Sequence, residues 1–189
     1  AAVNYHFGTK EELFQAVLTR RLDPMNQERL DLLSALERES APLPVSCEQI
    51  LSAMFVPALK LARDRERGGK NFLRLLGRAY ADPAPFIRHF LSAQYAGMIA
   101  RYKEAFARAL PHLPRQELTF RLHFVMGALS YTLAGTDALK LVAQMVNTEK
   151  DNDELLLQRL APFLAAGLKA PAMGTARKLE LVARERLGD

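Results

Sequence analysis

The stretch Ala1–Leu18, AAVNYHFGTKEELFQAVL, decides the fold because it combines a helix end, a tight turn and the start of a second helix. Gly8 stands where the residue after a helix adopts a positive φ, and Thr9 with Glu12 forms a T-x-x-E capping box. Apolar residues then recur at three- and four-residue spacings, namely Leu13, Phe14, Val17, Leu18 and Leu22. We therefore predict that one helix ends at Phe7 and that a long amphipathic helix begins after Thr9.

Residues 3–14, VNYHFGTKEELF, resemble the second half of the helix-turn-helix of the tetracycline-repressor (TetR) family. In that family an aromatic-rich recognition helix is followed by a small residue, a lysine and a long linking helix. The resemblance implies that this motif is only a remnant, and we expect roughly forty to fifty residues ahead of Ala1 to complete it. It also implies DNA contacts from Asn4, Tyr5, His6 and Lys10. Many relatives carry an aromatic residue where this chain has Asn4.

A plain helical hairpin is the alternative interpretation of the same run. In an all-α domain Tyr5 and Phe7 would then lie in the core and His6 would be solvated, since two helices joined by a short turn are a common packing unit. The family resemblance favours the DNA-binding interpretation. It divides the chain into a helix-turn-helix remnant (residues 1–22), a helical ligand-binding and dimerisation domain (23–170) and a C-terminal tail (171–189).

Length and composition predict an all-α fold, a TetR-type helical bundle. The 189 residues are 49% hydrophobic, enough for one sizeable core, and long stretches are rich in Leu, Ala, Arg and Glu without Asn-Gly hairpin signals. Cys47 is the only cysteine, so an internal disulfide is impossible and the reducing cytoplasm is the expected location. No apolar run reaches the roughly eighteen residues of a membrane span.

The chain has a net charge of +5, but the excess of positive residues does not lie near the DNA-binding motif. Residues 1–40 contain five Lys or Arg against seven Asp or Glu, whereas residues 60–110 contain eleven against four. A basic body can attract an acidic ligand or a nucleic-acid backbone, and solvated helix faces are the competing explanation.

Prolines and caps predict the helix boundaries. We expect a kink or break at Asp23-Pro24, and a helix from the Ser46–Gln49 capping box to about Glu66 with Pro57 inside it. Further helices are expected over residues 70–81, from Asp82-Pro83 to about 110, 115–134 and 153–169. A short or broken helix is expected over 135–147, and the tail after Pro171 is a terminal helix or disordered.

A row of large side chains follows the helix expected to begin at Asp82-Pro83. Its members stand at successive i+4 positions: Phe86, Phe90, Gln94, Met98, Tyr102, Phe106 and Leu110. Such a row is typical of core, and it also suits a long apolar ligand channel. Arg74 and Arg78 share a face, where they either bind an acidic head group or extend into solvent. The predicted pocket residues are Phe55, Leu59, Phe72, Arg74, Leu76, Arg78, Tyr80, Phe90, Gln94, Met98, Tyr102, Phe106 and Arg121.

The helix over residues 115–134 has a second usable face, which predicts a homodimer. Small residues on it allow a symmetry mate to approach closely, so that two helices of each copy form an isologous four-helix contact. The predicted interface residues are Phe120, Phe124, Gly127, Ala128, Tyr131, Leu156, Leu160 and Phe163.

Four segments, AAVNYHFG, FLRLLGRAYAD, RLHFVMGALSYTLAG and LAPFLAAG, resemble the fatty-acid-responsive (PsrA-like) TetR-type repressors of pseudomonads. The resemblance implies a dimeric repressor that leaves its DNA operator when a small apolar ligand binds, with a long-chain fatty acid or acyl-CoA as the ligand. A helical adaptor without DNA-binding activity is the alternative, and it predicts a large exposed apolar patch.

Nothing in the sequence indicates a catalytic site. The histidines His6, His89, His112 and His123 lack metal-ligand spacing, and neither a Gly-rich phosphate loop nor a G-x-S-x-G elbow occurs. We predict a protein that is not an enzyme and that needs no metal or cofactor.

Overall fold

The computed structural model describes residues 8–64, 66–134 and 153–172, and within these ranges it is all-α. The helices are α1 (Lys10–Ser40), α2 (Cys47–Arg63), α3 (Gly69–Ala81), α4 (Pro85–Ala109), α5 (Arg115–Leu133) and α6 (Asp153–Lys169). The all-α prediction is confirmed. The end of the presumed recognition helix, the segment 135–147 and the tail from residue 173 onward lie outside the described residues.

The start of α1 is as predicted. Gly8 has a φ of 66°, the Thr9 amide donates to Glu12 Oε2 at 2.6 Å, and the Glu12 amide donates to Thr9 Oγ1 at 3.1 Å. These two bonds satisfy amides that have no partner within the helix. With 31 residues, α1 is roughly 46 Å long.

We predicted a kink or a break at Asp23-Pro24, and the break is wrong because α1 continues through Pro24. A proline inside a helix removes one backbone hydrogen bond, but its φ is compatible with the helix. Leu22 and Met25, on either side of Pro24, are both buried, so their packing holds the segment in the helix.

α2 begins at the predicted capping box, where the Ser46 amide donates to Gln49 Oε1 at 3.0 Å and the Gln49 amide donates to Ser46 Oγ at 3.2 Å. It ends at Arg63, three residues earlier than expected, because the Gly69 amide donates to the Asp64 carbonyl and closes a turn there. Pro57 lies inside α2, as predicted.

The predicted start of α4 at Asp82-Pro83 is also wrong, since the helix begins at Pro85. The Asp82 carboxylate instead accepts a hydrogen bond from the Ala84 amide at 2.8 Å, a turn that precedes the helix. Pro85 then takes the first helical position, which needs no amide donor.

All six helices contribute side chains to one core. Members that are almost completely inaccessible come from each helix: Leu18, Leu22, Leu33, Ile50, Leu51, Leu76, Phe106, Leu118 and Leu168. α3 approaches the end of α5 closely, since a Cβ atom at Gly77 would lie 2.4 Å from the Ala134 nitrogen. Only a glycine permits this crossing.

Candidate functional site

α1 is attached to α4 by buried hydrogen bonds. The Tyr102 hydroxyl donates to the Arg29 carbonyl at 2.9 Å, and the Tyr95 hydroxyl donates to Asp23 Oδ1 at 3.1 Å. Burial raises the pKa of Tyr102 to about 12, and burial together with Asp23 raises the pKa of Tyr95. Both hydroxyls are therefore neutral donors at ordinary pH.

The guanidinium of Arg29 lies in the core between α1 and α2. Its side chain is only 3% exposed, its Nε donates to the Met54 carbonyl at 2.9 Å, and its Nη1 donates to Asn26 Oδ1 at 2.9 Å. Within the described part of the chain it makes no ion pair. A buried charge held by neutral acceptors is costly, and its presence here ties α1 rigidly to α2.

We did not predict this buried polar group from the sequence. A signal for it exists, because Arg29 stands in register with Leu22, Met25 and Leu33 on the apolar stripe of α1. A polar residue on such a stripe must find partners inside the protein.

Near the other end of α1, Glu37 is paired with two arginines of α4. Arg101 Nη1 donates to Glu37 Oε1 at 2.8 Å and Arg101 Nη2 to Oε2, and Arg108 also donates to this carboxylate. The hydrogen bond from Arg101 is the main cause that lowers the pKa of Glu37. Glu37 is therefore a third link between α1 and α4, and a charged one.

The predicted pocket residues lie partly in the core, partly at its edge and partly at the surface. Five are buried in the core: Phe55, Phe72, Leu76, Tyr102 and Phe106. Five are half-buried at its edge: Leu59, Arg74, Tyr80, Phe90 and Met98. Arg78 and Gln94 are exposed. The row that starts at Phe86 is half-buried or exposed as far as Met98 and is buried from Tyr102 to Leu110, in keeping with the drift of an i+4 row. Its role as a ligand channel stays a prediction.

Arg121, the remaining predicted pocket residue, binds the end of α6. Its Nη1 donates to the carbonyls of Leu168 (2.9 Å), Gly167 (3.3 Å) and Ala170, and its Nη2 donates to that of Pro171 (2.9 Å). Its Nε donates to Glu117 Oε1 at 2.8 Å. The carbonyls at a helix C-terminus lack partners within the helix and carry negative charge, so Arg121 caps α6 and joins it to α5.

An open groove of about 1080 Å³ lies between α1, α2 and α3, and we call it the α1–α3 groove. Among the predicted pocket residues, Phe72 lines it. The groove has apolar and basic side chains: its lining residues are Val17, Arg20, Arg21, Pro24, Met25, Glu28, Pro57, Lys60, Leu61, Asp64, Arg67, Asn71, Phe72 and Leu75. A smaller groove of about 450 Å³ between α3 and α5 is lined by Tyr80 together with His123 and Tyr131.

Four aromatic side chains on α5 and α6 face away from the core. Phe120, Phe124 and Tyr131 of α5 and Phe163 of α6 are 53%, 65%, 55% and 71% exposed, and we call this set the aromatic face. Phe120, Phe124, Gly127 and Tyr131 share one side of α5, because they stand three or four residues apart. Gly127 is exposed, while Ala128 and Leu160 are half-buried. Leu156 belongs to α6, but its side chain lies outside the described residues.

Of the residues predicted to contact DNA, Lys10 is exposed at the first position of α1. Asn4, Tyr5 and His6 lie outside the described residues. Their role in DNA binding stays a prediction.

The described residues hold no cluster of His, Cys, Asp or Glu suited to a metal ion. Burial is the main cause that raises the pKa of Cys47 to about 11, so its thiol is a poor nucleophile. Within the same residues, no helix has the length and apolar character that crossing a membrane requires.

Comparison with known proteins identifies the domain. Residues 52–167 match the model of a tetracyclin repressor-like C-terminal domain, which starts inside α2 and ends inside α6. No curated protein matches the chain. The family match covers more than half of the sequence, and the all-helical architecture agrees with it. The chain therefore belongs to the tetracycline-repressor-like family of transcriptional regulators and contains that family's C-terminal domain.

Proposed function

We propose that the protein is a dimeric, DNA-binding transcriptional repressor that leaves its operator when a small apolar ligand binds. The candidate ligand is a long-chain fatty acid or its acyl-CoA, since four segments resemble the fatty-acid-responsive (PsrA-like) repressors. DNA recognition belongs to a helix-turn-helix whose recognition helix ends at Phe7, and Asn4, Tyr5, His6 and Lys10 contact the duplex.

The aromatic face is the observation that carries the proposal. Four aromatic side chains, each more than half exposed, are unusual on two neighbouring helices of a monomer. A second copy related by a two-fold axis would cover the same residues on both chains. Gly127 lies between Phe124 and Tyr131, where a small residue lets two helices come close.

α1 supports the DNA-binding half of the proposal. It begins directly after the predicted recognition helix and its turn at Gly8, and it is attached to the core through Arg29 and Glu37. In a dimer, two recognition helices read one face of DNA when they stand about 34–36 Å apart. A tilt of α1 changes that spacing.

The ligand acts by favouring the conformation whose spacing misses successive major grooves. To lower the affinity for the operator a hundredfold, it needs to bind that conformation only about 2.7 kcal/mol more tightly than the operator-bound one.

Light scattering on a size-exclusion column tests the dimer. We expect the mass of two chains for the wild type and of one chain for Phe124→Glu, because a carboxylate in an apolar contact is left without a partner. Ile99→Glu is the matched control, since Ile99 is 51% exposed on α4, away from the aromatic face, and this variant stays dimeric. A monomeric wild type at micromolar concentration contradicts the dimer.

A DNA-binding titration of the complete gene product tests the regulator. The probe is the DNA upstream of its own gene, titrated with and without oleate or oleoyl-CoA. We expect saturable binding that weakens about a hundredfold at saturating ligand, the size of effect that allosteric coupling typically produces. Unchanged affinity rules out the lipid ligand and leaves the regulator in place. A monomer that binds no DNA fits the adaptor alternative.

A further inference from the structure

We propose that the α1–α3 groove binds an anionic amphiphile, with its acyl chain along the groove and its acidic head at Arg20 and Arg67. The binding site stands on the geometry of the groove alone. Its consequence for DNA binding rests on the proposed function.

The floor of the groove is apolar. Met25 from α1, Pro57 from α2 and Phe72 from α3 are buried and line it, and Leu61 and Leu75 are half-buried beside them. Three different helices thus contribute to one continuous apolar surface. A hydrocarbon chain that covers such a surface removes apolar area from water on both partners.

The rim of the groove is basic. Arg20, Arg21, Lys60 and Arg67 line it with only Glu28 and Asp64 as acidic residues, an excess of two positive charges. Arg21 is paired with Asp64 at 3.4 Å, and Lys60 is paired with Glu28. Both acidic residues of the rim, Glu28 and Asp64, are therefore already paired.

The two remaining arginines of the rim, Arg20 and Arg67, are exposed and form no ion pair with any residue of the described ranges. A guanidinium holds a carboxylate or a phosphate through paired hydrogen bonds that its charge strengthens. A polar head of negative charge is therefore complementary to this rim, whereas a neutral or cationic head is not.

Two prolines inside helices line the same groove, Pro24 in α1 and Pro57 in α2. Proline has no amide hydrogen, so each helix lacks one hydrogen bond at this level and bends there more easily than elsewhere. The groove can therefore adapt its width to a ligand where α1 and α2 are most compliant.

The ion pairs Arg21–Asp64 and Lys60–Glu28 connect α1 to α2 and to the turn after it across the groove. Both involve partly exposed side chains, and such pairs are weak. An acyl chain that lies under them moves the part of α1 that lines the groove away from α2, while Arg29 still holds α1 to Met54 of α2, so α1 tilts. This tilt is the change that the proposed release from the operator requires.

A single tryptophan tests the location, because the natural sequence contains none. Val17 is 40% exposed and lines the groove, so the emission of Val17→Trp reports on its contents. We expect a saturable blue shift on titration with oleate below its micelle concentration. Ile99→Trp, on α4 outside the groove, is the control and stays unchanged. Equal responses from both variants, or none from Val17→Trp, overturn the site.

The head group is tested with three ligands of equal chain length, namely oleate, oleoyl-CoA and oleyl alcohol. We expect the neutral alcohol to bind about tenfold more weakly than either anion, the sum of two exposed ionic contacts. Equal affinity of the alcohol overturns the anionic head. A preference for oleate assigns the rim to a carboxylate, and one for oleoyl-CoA assigns it to phosphates.

The arginines are tested by Arg20→Gln combined with Arg67→Gln in the Val17→Trp protein. Both side chains are exposed, so the fold stays intact, which a thermal melt checks. We expect the affinity for the anions to fall about tenfold and that for oleyl alcohol to stay the same. Arg88→Gln, an exposed arginine on α4 outside the groove, is the matched control. Equal loss in control and double variant overturns the assignment.

The site and the proposed function fail separately. If oleate binds at Val17→Trp but leaves the operator affinity unchanged, the site stands and its regulatory role is wrong. If oleate releases the operator while Val17→Trp does not respond, the regulator stands and the groove is not its ligand site.

Discussion

The two sides of α1 are held by different kinds of contact. Toward α4, Tyr102 donates a buried hydrogen bond to α1 and Tyr95 a partly buried one, and toward the core Arg29 is 3% exposed. Toward α2 and α3, an open groove is crossed by the partly exposed ion pairs of Arg21 and Lys60. When a buried polar contact is broken, one group is left without a hydrogen-bond partner. When an exposed ion pair is broken, water solvates both charges, so the energetic cost is smaller. α1 is therefore fixed toward α4 and, through Arg29, at Met54 of α2, and it is adjustable where it lines the groove.

The largest expected effect is that of Arg29→Ala, which removes the anchor inside the core. We expect the free energy of unfolding to fall by about 3 kcal/mol, through lost packing and unpaired acceptors at Met54 and Asn26. Urea denaturation measures it. Arg88→Ala, at an exposed position on α4, is the control and changes little. A loss as small as that of the control would show that the core side of α1 is not fixed by Arg29.

Alkaline pH tests the α4 side next. The pKa of Tyr102 is raised to about 12 by burial, whereas an exposed tyrosine in the unfolded chain titrates near 10. The folded state holds this proton more tightly, so the stabilisation is complete below pH 10 and is lost as the pH rises through 12. We expect a loss of about 2 kcal/mol over this window.

Urea midpoints at pH 9 and pH 11.5 measure this loss, and Tyr102→Phe reduces the difference between them. A wild type with the same midpoint at both values would contradict the buried hydroxyl.

Acid pH also lowers the free energy of unfolding, by a smaller amount, and here the loss occurs as the pH falls. The pKa of Glu37 is lowered by Arg101, so its contribution is present above about 4.5 and is lost as the pH falls below that value.

Tyr95→Phe removes one hydrogen bond from the same side. The hydroxyl bonds to Asp23 at 3.1 Å, and a single bond of this kind contributes about 1 kcal/mol to stability. Thermal unfolding at neutral pH measures the loss. Arg88→Ala, at an exposed position on α4, is again the control and leaves the melting temperature nearly unchanged. Equal melting temperatures for the two variants would remove Tyr95 from the set of anchors.

The smallest effect is expected on the groove side. Lys60→Gln breaks the exposed pair with Glu28, and we expect less than about 0.5 kcal/mol. The same variant removes one of the links between α1 and α2 across the groove, so the response of Val17→Trp to oleate occurs at equal or lower ligand concentration. A stability loss as large as that of Arg29→Ala would show that α1 is held as firmly on the groove side as in the core.

The sequence predicts the helix starts where a local motif sets them. The capping boxes at Thr9 and Ser46 involve residues three apart, so their geometry depends on the local chain alone. The same reasoning was wrong at Pro24 and at Pro83. There the outcome depends on burial of Leu22 and Met25, and on a second proline, Pro85, that takes the first helical position.

The candidate site was less predictable than the fold. Spacing on α5 predicts that Phe120, Phe124 and Tyr131 share a face, and the structure leaves that face exposed. Arg121 was predicted as a pocket residue, and in the structure its donors bind carbonyls 46 to 50 residues away, at the end of α6. Periodicity identifies which residues share a face, and it does not identify the partner that covers the face.

The amino-acid sequence by itself determined the helical class, the cap of α1 and the apolar stripes, because these depend on residues three or four positions apart. The tertiary structure alone decided that Arg29 meets Met54, that Arg121 caps α6, and that three helices leave a basic groove. Those contacts join residues far apart in the chain, and they form only when the packing of the whole core fixes how the helices lie against each other.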